Sequence, residues 1–318
     1  MWRELGVSAI STPVTPISPL AAAAPRRVEN AKGLLLMALG MFLFAAVDSG
    51  AKFLTESLHP FQIVWTRQLG LLAGAIFLIA TRGGAIFVTS HPRLQLLRGA
   101  VAAGSASTFI FAITYVPIAD AVAISFVAPF MVTLMGAVIL REPVGIRRWA
   151  AVILGFIGTL IVLRPGSGAV HPAALLVVIA AFLFAVRQII SRALSDTDKT
   201  GTTIVYTAII GSSILTIPMV FVWRTPTSEE LMILVGIAAL AGVAEVMVIK
   251  ALELAMAVVV APVQYTLMIW GTFYGWLIFG QLPDGWTWVG ASIIIATGLY
   301  TLHRENVAYR RRTWKGKK

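Results

Sequence analysis

The chain has 318 residues, of which 58% are hydrophobic and 12% are charged, and its formal net charge is +11. Soluble domains carry about 25% charged residues, so this composition excludes an ordinary soluble domain. The absence of cysteine excludes disulfide bonds, thiolate catalysis and cysteine-bound metals.

The first segment of the chain comprises residues 1–30. It is rich in proline, alanine, serine and threonine and contains no uninterrupted apolar core. Such a segment fits neither a cleaved signal peptide nor a packed domain, so we expect a disordered cytoplasmic tail.

Ten apolar segments follow, each close to the length of about 20 residues that an α-helix needs to cross a bilayer. They predict an all-α integral membrane protein with ten transmembrane helices, followed by a basic cytoplasmic tail at residues 304–318. The segments lie at residues 33–55, 60–81, 95–116, 118–140, 147–164, 172–194, 202–223, 230–251, 256–280 and 286–303.

Basic residues concentrate on one side of the predicted membrane. With a cytoplasmic N-terminus, the inside segments include Arg93 and Arg98, whereas the outside loops contain only Arg164 and Arg224. This asymmetry follows the positive-inside rule and predicts that both termini are cytoplasmic. The tail RRRTWKGKK at residues 310–318 is therefore interpreted as an orientation signal that contacts lipid headgroups, and not as a nucleic-acid arm.

The second half of the chain repeats features of the first. The tetrapeptide FLFA begins at Phe42 and returns 140 residues later at Phe182. Residues 31–165 and 172–303 are thus predicted to form two repeats of five helices each. An odd number of helices inverts the second repeat in the membrane, an architecture found in many secondary transporters with alternating access.

Three motifs carry a resemblance to a known family. They are HPFQIVWTRQLG at residues 59–70, AITYVPIADAVAISFVAPFMVTLMGAVILREPVG at 112–145 and LIVLRPG at 160–166. They resemble the drug/metabolite transporter superfamily, EamA type, over residues 31–303, and the nearest subgroup is the YddG-type exporter of aromatic amino acids. The resemblance implies a multi-pass protein of the bacterial cytoplasmic membrane that moves small metabolites through a central cavity.

Pro129 lies inside the fourth predicted helix. Because proline lacks an N–H and frees a carbonyl one turn earlier, it predicts a kink beside a cavity or a neighbouring helix. Arg141-Glu142-Pro143 then predicts the cytoplasmic end of that helix. The second half departs from this pattern, since Ile269 and Leu282 stand where the proline and glutamate would repeat.

Four charged residues are predicted inside the membrane. Asp48 and Arg67 each lie about 10 Å from the outer face and are expected to pair, and Arg187 and Glu245 form the corresponding set towards the cytoplasm. We expect these pairs to act as gates or to bind the charged ends of a substrate. Static contacts between helices are the alternative.

Polar and aromatic side chains supply candidates for the substrate cavity. Gln264, Tyr265 and Trp270 lie in the ninth helix, and aromatic and amide groups line many small-molecule sites. The alternative for the aromatic side chains is the lipid interface. Three hydroxyl residues could also face the cavity, although intramembrane hydroxyls commonly bond to their own helix. They are Ser105, Thr108 and Ser125.

Motifs for ATP hydrolysis and metalloprotease chemistry are missing from the sequence, and its four histidines fall at predicted helix ends or in loops. The prediction is therefore a transporter without enzymatic activity, cofactor or metal. It exports small amphiphilic metabolites, above all amino acids including aromatic ones. The alternatives are a proton-coupled multidrug extruder and an importer of a vitamin or nucleotide-linked sugar. Because one chain contains both repeats, a monomer is expected to suffice.

Overall fold

The computed structural model describes residues 30–139, 146–164, 171–194, 197–254 and 261–315. All regular secondary structure in this part of the chain is helical. The α-helices are α1 Asn30–Leu54, α2 Pro60–Arg82, α3 Pro92–Ile113, α4 Ile118–Ser125, α5 Ala128–Val138, α6 Ile146–Leu163, α7 Ala174–Leu194, α8 Thr200–Val222, α9 Ser228–Leu254, α10 Thr266–Phe279 and α11 Gly285–Lys315.

The helices follow the predicted membrane segments. Seven described helical stretches are long and apolar enough to cross a membrane. The predicted ninth segment is observed as a 3₁₀ turn at Ala261–Tyr265 followed by α10, and α11 continues past the predicted end of the tenth. With α4 and α5 together forming one span, the chain comprises two five-helix repeats, and the predicted all-α membrane fold is confirmed.

Pro129 lies at the point where the predicted fourth helix divides. Helix α4 ends at Ser125 and α5 begins at Ala128, so the proline occupies the first turn of α5. Helix N–H groups in that turn have no intrahelical acceptor, so a residue without an N–H is tolerated there. The Arg141-Glu142-Pro143 segment lies outside the described residues.

The strongest helix contacts join the two repeats. Helix α1 packs on α9, and α3 packs on α7, which is the same pairing with the repeats exchanged. Helix α2 packs on its counterpart α8, and α6 packs on its counterpart α11. This reciprocal pattern is what a two-fold relation between inverted repeats produces.

Helices α6 and α11 approach each other at two glycines. A Cβ atom added to Gly158 would lie 2.8 Å from Ile294 Cγ1, and one added to Gly290 would lie 2.6 Å from the Gly158 carbonyl oxygen. Small residues at a helix crossing let the two backbones touch. This contact joins the last helices of the two repeats directly.

We call the membrane face at which α1 begins the near face and the opposite one the far face. Towards the far face, the ends of α1 and α3 and the turns that follow them form an apolar cluster. Leu54, Leu58, Ile110, Ile113 and Val116 are each 2% exposed or less. This dense layer closes the interior of the protein towards the far face.

Candidate functional site

A cavity of about 200 Å³ lies between the two repeats. Helices α1, α2 and α3 of the first repeat and α7, α8 and α9 of the second line it. The lining residues that carry charge are Arg67, Arg98, Arg187 and Glu245, and most others are aliphatic. Because Arg67 enters from the far half of α2 and Arg98 from the near half of α3, the cavity spans the middle of the membrane region.

Asp48 and Arg67 form an ion pair at one end of the cavity. Arg67 Nη1 lies 3.5 Å from Asp48 Oδ1, and the two side chains are 27% and 14% exposed. The side chains expected to pair are therefore in contact. Their role as a gate stays a prediction, and of the two only Arg67 lines the cavity.

Arg98 is held in the cavity by hydroxyl groups. Its Nε donates to Ser191 Oγ at 2.7 Å, and its Nη1 donates to Thr207 Oγ1. Among the described residues it has no carboxylate within ion-pair distance. Hydroxyl acceptors orient the guanidinium without forming an ion pair with it.

Arg187 and Glu245 line the same cavity without direct contact. Glu245 acts electrostatically on both Arg187 and Arg98, but neither guanidinium lies within 4 Å of it. The Arg187 guanidinium instead lies over the Phe184 ring, 4.6 Å from its centroid. Its buried Nε has no hydrogen-bond partner in the described chain. A buried donor without an acceptor is costly, so Arg187 has an unused group to offer a ligand.

The region around the cavity holds charges of both signs. Arg67, Arg98 and Arg187 contribute three positive charges, and Asp48 and Glu245 contribute two negative charges, which leaves one positive charge in excess. Charge-assisted hydrogen bonds from guanidiniums suit a carboxylate, and a carboxylate suits an ammonium group. The arrangement can therefore bind the two ends of a zwitterion.

The six polar and aromatic candidates from the sequence lie outside the lining of this cavity. Ser105 Oγ donates to the Ala180 carbonyl oxygen at 2.9 Å, and Ser125 Oγ donates to its own helix at Val122. Thr108 is half-buried and lies one turn beyond Gly104 on α3. In this conformation the Ser105 hydroxyl joins two helices and the Ser125 hydroxyl bonds within its own helix.

The candidates in the second half lie at and after the 3₁₀ turn. Gln264 is exposed, and the Tyr265 ring packs against Phe126 with 5.0 Å between centroids. The Trp270 ring packs edge-on against Phe42 at 5.0 Å, in an apolar cluster that also contains the cavity residue Phe44. Contact of these side chains with substrate stays a prediction.

Sequence reasoning missed three polar residues of the cavity. In the sequence, Arg98 is one of the basic residues that fit the positive-inside rule, and no pattern distinguishes Gln68 or Thr207, but all three line the cavity. Gln68 Nε2 donates to the Thr207 carbonyl oxygen at 3.4 Å, which links α2 to α8. Only the packing of α3 against α7 and α8 shows that Arg98 faces inwards.

Comparisons with known proteins match almost the whole helical region. A model of the EamA-like transporter family matches residues 31–164 and 171–302. The S-adenosylmethionine uptake transporter of Rickettsia conorii is 28% identical over 291 residues, covering 90% of this chain and 99% of that protein. The riboflavin transporter of Rhizobium johnstonii is 29% identical over 279 residues, covering 86% and 91%.

Two further similarities extend this picture. The pseudopaline exporter CntI of Pseudomonas aeruginosa is 25% identical over 269 residues, covering 83% of this chain and 93% of that protein. A solved crystal structure superposes with a TM-score of 0.58 at 15% identity, covering 86% of this chain and 98% of the other, which shows a shared fold. Because the family model matches both halves of the chain, this multi-pass membrane protein belongs to the EamA-like transporter family, within the drug/metabolite transporter superfamily, and is a secondary transporter.

Proposed function

We propose that this protein transports small zwitterionic metabolites, namely amino acids, including aromatic ones, and molecules that carry an amino acid group. The observation that supports this substrate class is the cavity, where the guanidiniums of Arg98 and Arg187 and the carboxylate of Glu245 face one space inside the membrane. Charged groups at this depth are costly and are retained at substrate pathways.

The cavity offers a separate place for each part of such a substrate. Arg98 and Arg187 would bind the carboxylate, because neither forms an ion pair with an acidic residue of the described chain. Glu245 would accept hydrogen bonds from the ammonium group. The apolar part of the substrate would then contact the lining residues Phe44 and Leu71.

The size of the cavity favours compact substrates in this conformation. Its volume of about 200 Å³ lies below the range of roughly 300–1,000 Å³ that is usual for sites of drug-sized ligands. A single amino acid is the better match. S-adenosylmethionine, named for one relative, carries the same amino acid group on a larger body, so it would require a wider conformation.

The relatives support neither direction over the other. The three relatives described above are named for uptake of S-adenosylmethionine, transport of riboflavin and export of pseudopaline, and none of these three names refers to an aromatic amino acid. We propose that both directions are open to alternating access and that the substrate gradient sets net flux. The positive-inside pattern supports an orientation with both termini in the cytoplasm. The bacterial relatives support the bacterial cytoplasmic membrane, and the presence of both repeats in one chain supports a monomer as the working unit.

Counterflow in proteoliposomes tests this proposal. Proteoliposomes that contain the purified protein are loaded with unlabelled substrate. Entry of radiolabelled phenylalanine, S-adenosylmethionine or riboflavin is then followed with and without a pH gradient. We expect phenylalanine or S-adenosylmethionine to enter without a gradient, and we expect Arg187→Gln to slow that entry about tenfold, the loss usual for a charge-assisted contact.

Riboflavin provides the informative contrast, because it has no carboxylate for the cavity arginines. If riboflavin enters, Arg187→Gln leaves its rate unchanged and neither phenylalanine nor S-adenosylmethionine enters, the proposal is wrong and the protein is a vitamin transporter. Gradient-dependent movement of an organic cation alone would instead favour a proton-coupled extruder. Arg93→Gln, at the exposed start of α3, is the matched control for loss of a positive charge.

A further inference from the structure

Two sets of hydrogen bonds, which we call clasps, join the repeats, one at each membrane face. The far clasp joins the start of α2 to the segment between α8 and α9. Gln62 Nε2 donates to the Arg224 carbonyl oxygen at 2.7 Å, and Gln62 Oε1 accepts from Arg224 N at 3.1 Å. The Arg224 guanidinium also donates to the Ser57 carbonyl oxygen at 2.6 Å, in the turn between α1 and α2.

The near clasp joins the segment between α2 and α3 to the segment between α7 and α8. Asp198 Oδ2 accepts from Thr89 Oγ1 at 2.5 Å and from Gln95 Nε2 at 2.6 Å. Asp198 Oδ1 accepts from Ser90 N at 3.3 Å, and Gln95 Nε2 donates additionally to Thr203 Oγ1 at 3.2 Å.

The two clasps use corresponding segments of the repeats. In the far clasp, the α1–α2 connection of the first repeat contacts the α8–α9 connection of the second repeat. In the near clasp, the α7–α8 connection of the second repeat contacts the α2–α3 connection of the first repeat. These are the same two kinds of connection with the repeats exchanged. Repeat one supplies a fully buried glutamine each time, Gln62 or Gln95. Inverted repeats place equivalent contacts on opposite faces in this way.

Polar contacts of this kind suit surfaces that must separate. When such a contact opens, water replaces the lost partners, so the net cost is that of exchanging hydrogen bonds. The α6–α11 contact has the opposite character, since Gly158 and Gly290 pack backbone against backbone and would leave a gap if pulled apart. The clasps can therefore open while that contact stays fixed.

Each clasp shares a helix with the cavity. On α3, Gln95 lies one turn before the cavity residue Arg98, and on α2, Gln62 lies five residues before Arg67. Side chains one turn apart share a helix face, so a shift of α3 that repositions Arg98 also moves Gln95. A ligand on the cavity arginines can thus act on the clasps through rigid helices.

We infer that the near and far clasps are the two gates of this transporter and that one opens while the other stays closed. The hydrogen bonds of both clasps are formed in this structure. The inference requires alternating access by this family member but no particular substrate, so it goes beyond the proposed function.

The near gate is not a pH switch in the physiological range. Burial raises the pKa of Asp198, but hydrogen bonds from Thr89, Gln95 and the Ser90 backbone outweigh burial and hold the pKa below its ordinary value. The charged Asp198 carboxylate therefore stabilises the closed gate at every pH above the ordinary aspartate pKa of about 3.9. That stabilisation is lost only as pH falls through the lowered pKa. At neutral pH the carboxylate stays charged and the gate responds to helix movement.

The sequence has no cysteine, so an introduced thiol is unique. Ala241, a small residue of the cavity wall, is replaced by cysteine and labelled with a membrane-impermeant maleimide from either face of oriented vesicles. We expect Asp198→Ala to raise labelling from the near face and lower it from the far face. We expect Gln62→Ala to do the reverse, and each increase to be about tenfold, on the scale of the net loss of roughly one intramolecular hydrogen bond.

Controls separate gating from folding and from substrate choice. Lys199→Ala and Glu229→Ala alter exposed neighbours of the clasps and are expected to leave labelling unchanged. If Gln62→Ala fails to fold, Arg224→Ala removes the guanidinium contacts with the Ser57 carbonyl oxygen and with Glu230 but keeps the backbone bonds to Gln62. It is expected to shift labelling in the same direction by a smaller factor. Unchanged labelling, or increases from the same face in both variants, would overturn the inference. Since labelling uses no substrate, absent phenylalanine flux would count against the proposed function alone.

Discussion

The guanidinium groups of the cavity differ in how many donors they have left for a ligand. Arg67 has a carboxylate partner in Asp48, whereas Arg98 contacts only hydroxyl groups among the described residues. A guanidinium has five donors in a fixed plane, so two bonds to hydroxyls leave donors for a carboxylate. The orientation of Arg98 is therefore as important as its charge.

Replacing Arg98 by lysine tests that geometric requirement. We expect Arg98→Lys to lower the initial rate of phenylalanine counterflow about tenfold, because an ammonium group lacks the planar fork that contacts Ser191 and Thr207. Arg93→Lys, at the exposed start of the same helix, is the matched control. Equal rates for wild type and Arg98→Lys would show that charge alone is sufficient.

The Asp48–Arg67 pair gives a prediction about stability. Asp48→Asn leaves the Arg67 charge without its partner, and we expect the free energy of unfolding to fall by about 1–3 kcal/mol. The double variant Asp48→Asn/Arg67→Gln should recover part of that loss, since no unpaired charge remains. Thermal denaturation in detergent provides the measurement, and strictly additive effects of the two substitutions would contradict a direct pair.

At the scale of helices, the α6–α11 crossing depends on the absence of side chains. A Cβ atom on Gly290 would lie 2.5 Å from Val162 Cγ2 and 2.6 Å from the Gly158 carbonyl oxygen, so the helices must separate to admit it. We expect Gly290→Ala to lower the thermal midpoint of unfolding.

Gly236 on α9 is the matched control for that substitution. A Cβ atom there would meet nothing within 4 Å, so alanine adds helix propensity without a clash. We expect Gly236→Ala to leave the midpoint unchanged or raise it. Equal effects of the two substitutions would indicate that helix propensity, and not close packing, governs both sites.

The far-face ends of α6 and α11 also share an ion pair outside the membrane. Arg164 Nη2 lies 2.6 Å from Asp284 Oδ2. Burial raises the pKa of Asp284, but hydrogen bonds from Thr287 and the adjacent Arg164 guanidinium outweigh burial, so the pKa lies below its ordinary value. A carboxylate of this kind stabilises the folded state above the unfolded pKa of about 3.9 and loses that effect as pH falls through the folded pKa.

The pH dependence of this contact can be measured by comparing wild type with Asp284→Asn. We expect the difference in thermal midpoint to stay constant from about pH 8 to about pH 5, to begin to fall near pH 4 and to vanish only as pH falls through the lowered folded pKa. A difference that disappears near neutral pH would contradict a lowered pKa.

At the scale of the whole molecule, the sequence predicted the parts that follow from composition and periodicity. Apolar segments of membrane length predicted the helices, and the FLFA repeat at Phe42 and Phe182 predicted two halves. Paired charges at equal depth placed Asp48 beside Arg67 because adjacent helices share depth. Contacts between helices that are distant in the sequence produce no pattern in it. The sequence therefore predicted neither that Arg98 lines the cavity nor the hydrogen bonds of the clasps.

The match between cavity charges and a zwitterion can be tested with three ligands of one shape. Counterflow of phenylalanine is compared with phenethylamine, which lacks the carboxylate, and with 3-phenylpropionate, which lacks the amine. If Arg98 and Arg187 bind a carboxylate while Glu245 binds an ammonium group, phenylalanine enters at least about tenfold faster than either analogue, and Arg187→Gln removes most of its advantage over phenethylamine. Entry of phenethylamine as fast as phenylalanine, unaffected by Arg187→Gln, would contradict zwitterion transport and indicate a cation carrier.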